Sequence, residues 1–228
     1  MIGMAYLYIF VLFLSAAAGA AEIETNSVHM ANAPTWIKRN RVEKVIERIQ
    51  TKLEWSIRRV EVFWYSDQRA FEAAHTLGPL ALAVSRQKDN TIHLGPKINN
   101  AEFDAVFGHE LVHIILYQKY KEAIPRWFEE GLANHLAKPG RVNYKWLVGR
   151  PFPPDVRQLS HPFAGTLERS RYHYVASQAL AEMIAAQCDL TNLLRLSVGK
   201  SIEDYLGTYC EIRDLNAAFR SWVAKRAK

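Results

Sequence analysis

The chain has 228 residues, 49% of them hydrophobic and 23% charged, with a formal net charge of +6 and two cysteines. That balance suffices for one well-cored domain and excludes a disordered, low-complexity or repetitive chain. The positive charge is spread over residues 38–48, 138–157 and 220–228 without a basic block interleaved with aromatics, so nucleic-acid binding is not expected. A solvated basic surface permits no more than a weak association with an anionic envelope surface.

No charged side chain precedes Glu22, and residues 4–18 form an apolar run leading into Ala18, Gly19 and Ala20. The small-x-small pattern is that of a signal-peptidase site. Residues 1–20 are therefore expected to be a signal peptide and residues 21–228 a single exported domain, periplasmic or secreted. The absence of Lys and Arg before the apolar run leaves an uncleaved N-terminal membrane anchor as the alternative, although the run is short for a bilayer span.

Beyond it, residues 41–57 carry Val42, Val45, Ile46, Ile49 and Leu53 at helical spacing. Residues 59–65 alternate as a strand does, 67–77 read as a helix, 80–85 as a buried strand, and 91–94 as a short strand ended by Gly95 and Pro96.

Next comes His109-Glu110-Leu111-Val112-His113, an H-E-x-x-H pattern flanked by Phe103, Val106, Phe107, Ile114, Ile115 and Leu116. On a helix, residues four apart share a face, so the imidazoles of His109 and His113 can converge on one ion. Glu110 lies about 100° round the helix, where it can reach a metal-bound water as a general base without being a ligand. The apolar flanks predict a buried helix, and a buried histidine pair needs partners. Catalytic zinc commonly takes three protein ligands, so one more is required from another element.

Residues 124–137 read as a second helix with Pro125 in its first turn, and this helix presents Glu129 and Glu130. Residues 138–169 are rich in proline and scattered aromatics, including Tyr144, Trp146, Phe152 and Phe163, and read as a long irregular connection rimming a cleft or wrapping the surface. Helices are then expected at 171–186, 190–196, 202–206 and 215–224. Cys188 and Cys210 permit a disulfide that would staple neighbouring helices, in keeping with export.

H-E-x-x-H followed by Trp127-Phe128-Glu129-Glu130-Gly131-Leu132-Ala133 resembles the gluzincin metallopeptidases, the clan of thermolysin and the large zinc aminopeptidases. The closer resemblance is to the small bacterial peptidase MA-like domains. It covers about residues 91–186. It implies an α+β zincin-like fold: a small mixed sheet with N-terminal helices, then an all-helical C-terminal half. On that pattern residues 36–120 form an α+β subdomain with the motif helix, and 121–228 a helical subdomain. The glutamate before the glycine, Glu130, would complete one Zn2+ site with His109 and His113. Glu129 is left exposed or facing the cleft, where it would attract a substrate amine. The strand before the motif helix, Thr91, Ile92, His93 and Leu94, would be the sheet edge that binds a peptide by backbone pairing. Tyr174, in a Y-x-x-S setting, would stabilise the oxyanion, with Tyr172 and His173 as neighbouring alternatives.

A metzincin is excluded, because Leu116 and Lys119 stand where that pattern needs glycine and histidine. The function expected is zinc-dependent hydrolysis of a peptide or protein substrate. An amidase acting on cell-wall peptides and a non-catalytic zinc-bearing interaction domain are the alternatives. Retention of Glu110 speaks against the last. His135 and His173 are candidates for accessory roles.

Overall fold

The computed structural model describes residues 21–137, 140–159 and 166–228. The expected signal peptide or anchor lies outside the described residues, as do residues 138–139 and 160–165 of the long connection. The order of elements is β1 (Ala21–Glu24), β2 (Val28–Ala33), α1 (Arg39–Leu53), β3 (Val60–Trp64), α2 (Gln68–Ala73), β4 (Ala83–Arg86), β5 (Thr91–Leu94), α3 (Phe103–Tyr120) and α4 (Arg126–Ala137). Then follow α5 (Tyr144–Val148), α6 (Leu167–Ala185), α7 (Leu190–Leu196), α8 (Ile202–Thr208) and α9 (Leu215–Arg226). The fold is α+β, with a small mixed sheet and a helical C-terminal half.

The five strands run in the order β1-β2-β3-β5-β4. Strands β2, β3 and β5 are parallel, whereas β1 and β4 pair antiparallel at the two ends. Register follows the two-residue period: Met30, Val62 and Ile92 align across one face and are fully buried. The sheet begins at Ala21, earlier than the expected start near residue 36. Strand β2 was not legible because only Val28, Met30 and Ala33 point inward, among His, Asn and Ala of weak strand propensity.

Helix α1 ends where Glu54 adopts a left-handed conformation at φ 48°, three residues before the expected limit. Helix α2 also stops early, at Ala73. The Leu77 amide donates to His75 Nδ1 at 3.1 Å, which draws the chain into the turn that holds Gly78 and Pro79. Helix α6 instead starts four residues ahead of expectation, because Thr166 caps it by accepting from the Arg169 amide.

Helix α3 is packed against α1, α4, β4 and β5, and is buried on nearly every side. Phe103, Phe107, Leu111 and Ile114 have no exposed surface, and each such side chain contributes about 1.5–3 kcal/mol by leaving water. Gln118 clamps its C-terminal end: Oε1 accepts from the Arg58 amide (2.8 Å) and the Trp55 indole (3.3 Å), and Nε2 donates to Asn90 Oδ1 (2.8 Å). The motif histidines thus sit on a helix buried along most of its length.

The connection after α4 is less irregular than its composition suggests. It holds α5 and a 3-10 turn at Val156–Gln158, and α5 packs on α9 through the Trp222 indole N–H donating to Tyr144 Oη at 2.8 Å. Cys188 and Cys210 form a disulfide with Cα atoms 5.0 Å apart, joining the chain just after α6 to the chain just after α8. A disulfide is consistent with an oxidising compartment. Among the described residues no helix is long and apolar enough to cross a membrane.

Candidate metal centre

Helix α4 packs against α3, and this contact brings three donors together. His109 Nε2 and His113 Nε2 stand 3.0 Å apart, and Glu130 Oε2 lies 3.5 Å from the first and 3.6 Å from the second. His113 and Glu130 are almost fully buried, whereas the His109 side chain keeps some exposure toward the cleft. Metal–nitrogen and metal–oxygen bonds of about 2.0–2.1 Å in a tetrahedron put ligand atoms about 3.3 Å apart. The observed spacings bracket that value, so these three residues fit one divalent ion. Among the described residues no other group of His, Cys, Asp and Glu converges in this way.

A second layer orients the first. Glu129, expected at the surface or in the cleft, is instead buried, and its Oε1 accepts from His113 Nδ1 at 2.6 Å. That bond favours a proton on Nδ1, so a ring that gives up its other proton would turn the Nε2 lone pair toward the centre. Gln87 Nε2 donates to the same Glu129 oxygen, and Arg126 Nη1 lies 3.4 Å from the other. Arg126 Nη2 also pairs with Glu130 Oε1 at 2.6 Å, so Oε2 is the oxygen that faces the histidines.

Electrostatics follow from this crowding. Burial alone lowers the His113 pKa, but the adjoining carboxylates of Glu130 and Glu129 outweigh it and push it up to about 10. Burial raises the Glu129 pKa, and the cationic His113 and Arg126 more than reverse this, leaving it below the usual carboxylate range. Burial likewise opposes the charge on Arg126, and Glu130 and Glu129 restore it. The sequence signal for Glu129 was its place beside the third donor on a helix buried along most of its length. No signal in the sequence marked Gln87 or Arg126.

Glu110 is buried and lines the cleft beside both histidines. Of the three candidates on α6, only Tyr174 lines the cleft, with its ring centroid 6.2 Å from that of His109. Tyr174 is 39% exposed at the mouth of the cleft, so only part of its ring is desolvated; that desolvation and then the carboxylates of Glu110 and Glu130 raise its pKa, and the phenol, protonated at neutral pH in any case, is a hydrogen-bond donor. Tyr172 instead packs against the core with its hydroxyl buried. His173 does not line the cleft. His135 follows Glu130 by five positions, about 140° round α4, and takes no part in the converging group.

Gly131 explains why α6 comes so near. A Cβ there would lie 2.8 Å from the Ser177 carbonyl oxygen and 3.3 Å from the Ala181 Cβ. Only glycine lets the two helices approach this closely. Asn134 Nδ2 donates to Ser177 Oγ at 3.0 Å on the same seam.

The cleft has a volume of about 370 Å³. Its far wall is β4 and the segment before it, with Leu77, Leu82, Ala83, Val84 and Ser85 facing the histidines. This corrects the assignment of Thr91, Ile92, His93 and Leu94 as an edge. Strand β5 pairs with β3 on one side and β4 on the other, so its backbone groups are already committed. His93 is buried, bonded to Tyr65 Oη at 2.8 Å, and its pKa is lowered by burial and then by Arg86 and His75. The edge is β4, which the antiparallel hairpin with β5 places outermost. None of the described residues 140–159 lines the cleft, although the Gly140 carbonyl accepts from the cleft-lining Gln178 at 3.0 Å.

Comparison of the chain with protein-family models and with curated proteins returns no match.

Proposed function

We propose that this chain is a zinc-dependent metallopeptidase of the gluzincin kind. The observation that carries the reading is the convergence of His109 Nε2, His113 Nε2 and Glu130 Oε2, with Glu110 beside them in an open cleft. Two imidazoles and one carboxylate are the donor set of many hydrolytic zinc sites, and a general base has no use in a purely structural one. The sequence of sheet, motif helix and third-donor helix supports the same family reading.

A zinc ion held there supplies Lewis acidity, polarising a carbonyl and acidifying water. The chain's own groups do the rest. Strand β4 offers unpaired backbone groups to an extended peptide, which aligns the scissile bond along the cleft. Glu110 takes the proton of the attacking water and returns it to the leaving amine. The Tyr174 phenol, held protonated, donates a hydrogen bond to the oxygen that gains charge in the tetrahedral intermediate. Glu129 fixes the tautomer of His113, and Arg126 fixes the orientation of Glu130. The Leu77, Leu82 and Val84 wall favours substrates with apolar side chains against β4. The Cys188–Cys210 disulfide supports an exported location.

The test is zinc content of the purified protein, wild type beside Glu130→Ala, each incubated with a mixed peptide library with and without chelator. One zinc per wild-type chain, its loss in the variant, and chelator-sensitive cleavage are expected. Absence of zinc from the wild type would refute the proposal.

A further inference from the structure

The partly buried bond from Gln87 to Glu129 takes no part in the proposed chemistry. Gln87 opens the 3-10 turn Gln87–Asp89 that joins β4 to β5, immediately after Arg86, the last residue of the edge strand. Its Nε2 donates to Glu129 Oε1, the oxygen that also accepts from His113 Nδ1. The end of β4 is therefore linked to a metal-ligating imidazole through two consecutive hydrogen bonds, by way of one carboxylate that is itself buried. The carboxylate has no slack: Arg126 approaches its second oxygen at 3.4 Å while holding Glu130 at 2.6 Å.

We infer that Gln87 and Glu129 couple the β4 edge to the metal centre, so that metal binding orders the hairpin and a peptide docked on the hairpin tightens the metal. The inference rests on the reading that zinc sits at His109, His113 and Glu130. Each step is local. Metal on Nε2 fixes the His113 ring, the ring fixes Glu129, and Glu129 holds the Gln87 carboxamide and with it the last turn of the hairpin. Coupling between two binding events is reciprocal, so a ligand that immobilises β4 favours the metal-bound centre by the same factor that metal favours the ligand. Gln87 is a positioning residue in this scheme, because it touches neither metal nor substrate side chain.

Two substitutions separate this role from mere packing. Gln87→Ala removes the donor. Gln87→Glu keeps the shape but sets a carboxylate against Glu129, so a packing role would survive it and a donor role would not. Gln87 is half-buried in a surface turn, and circular dichroism checks that both variants fold. The experiment is zinc affinity by chelator competition for wild type and both variants, with hydrogen–deuterium exchange of each, zinc-free and zinc-loaded.

Zinc affinity is expected to fall about fivefold in Gln87→Ala, less than the roughly 10–100-fold typical of direct partners of metal ligands because Gln87 stands one bond further out, and at least tenfold in Gln87→Glu. Zinc should slow exchange across residues 83–89 in the wild type, and this protection should shrink in Gln87→Ala while that of α3 persists. If the wild type binds zinc but both variants match it within twofold, or the hairpin is protected equally in Gln87→Ala, the coupling is overturned and the metal reading stands. If the wild type binds no zinc, the metal reading and the coupling fall together.

Discussion

Replacing Gly131 by alanine tests the helix seam on which the centre depends. The new Cβ would meet the Ser177 carbonyl oxygen at 2.8 Å, a backbone atom that cannot swing aside, and the Ala181 Cβ at 3.3 Å. To restore ordinary contact, α6 must move from α4 by about half an ångström, and overpacking of this size costs about 1–3 kcal/mol. Alanine returns about 1 kcal/mol through its higher helix propensity. The net loss is about 0–2 kcal/mol, which for a domain of this size lowers Tm by up to about 8 °C. Because α6 carries Tyr174, the shift, on the proposed mechanism, also draws the phenol away from the reacting carbonyl. A misplacement of this order is expected to reduce kcat at least tenfold, whereas zinc content should stay at the wild-type level. Differential scanning calorimetry, metal analysis and peptide hydrolysis on the same preparation read the three effects. A Gly131→Ala protein that melts above the wild-type temperature would refute the reasoning, since propensity would then have outweighed a clash that the seam cannot relieve.

Glu110→Gln should retain zinc and lose at least a hundredfold in turnover, because the amide keeps the shape but accepts no proton; metal analysis beside a peptide assay decides it. Gln118→Leu leaves the Arg58 amide, the Trp55 indole and the Asn90 carboxamide without their shared partner, and is expected to lower unfolding stability by about 2–3 kcal/mol in a urea titration. His29 on β2 has its pKa raised, chiefly by the bond to Glu61 at 2.5 Å, with burial opposing. A raised folded-state value means that this contribution is fully present below about pH 6.5 and is lost as pH rises through the folded value. His29→Gln should therefore flatten the decline in stability on the alkaline side of neutrality, and an unchanged slope in denaturation curves from pH 6 to 9 would count against the pair.

Legibility in the sequence tracked burial and period. Helix α1 was readable because Val42, Val45, Ile46, Ile49 and Leu53 repeat on one face, and β5 because Thr91 to Leu94 is bounded by the Asn90 turn and Gly95. The converging pair His109 and His113 needed only the helical repeat. What escaped was information held between elements. That β4 and not β5 is the edge depends on hairpin β4–β5 adding outward from β3, which no local pattern specifies. Strand β1, with one buried side chain in four, carried no periodic signal at all. Within the long connection, α5 is only five residues and owes its stability to Asn143 capping Trp146 and to the contact with α9, both invisible to a composition count.

The adjacent glutamates show why a motif specifies a site incompletely. Glu129 and Glu130 are separated by about 100° on α4, so they cannot both face one ion, and composition gives no reason to prefer either. The structure employs both on opposite nitrogens of the same ring: Glu130 Oε2 faces Nε2 at 3.6 Å, and Glu129 Oε1 holds Nδ1 at 2.6 Å. Swapping their roles would require α4 to rotate, which Gly131 and Asn134, the latter one turn beyond Glu130 on nearly the same face, prevent by locking α4 to α6 at Ser177. The geometry of the centre is thus set by the α4–α6 seam as much as by the H-E-x-x-H helix. That is the physical reason a glycine directly follows the third donor.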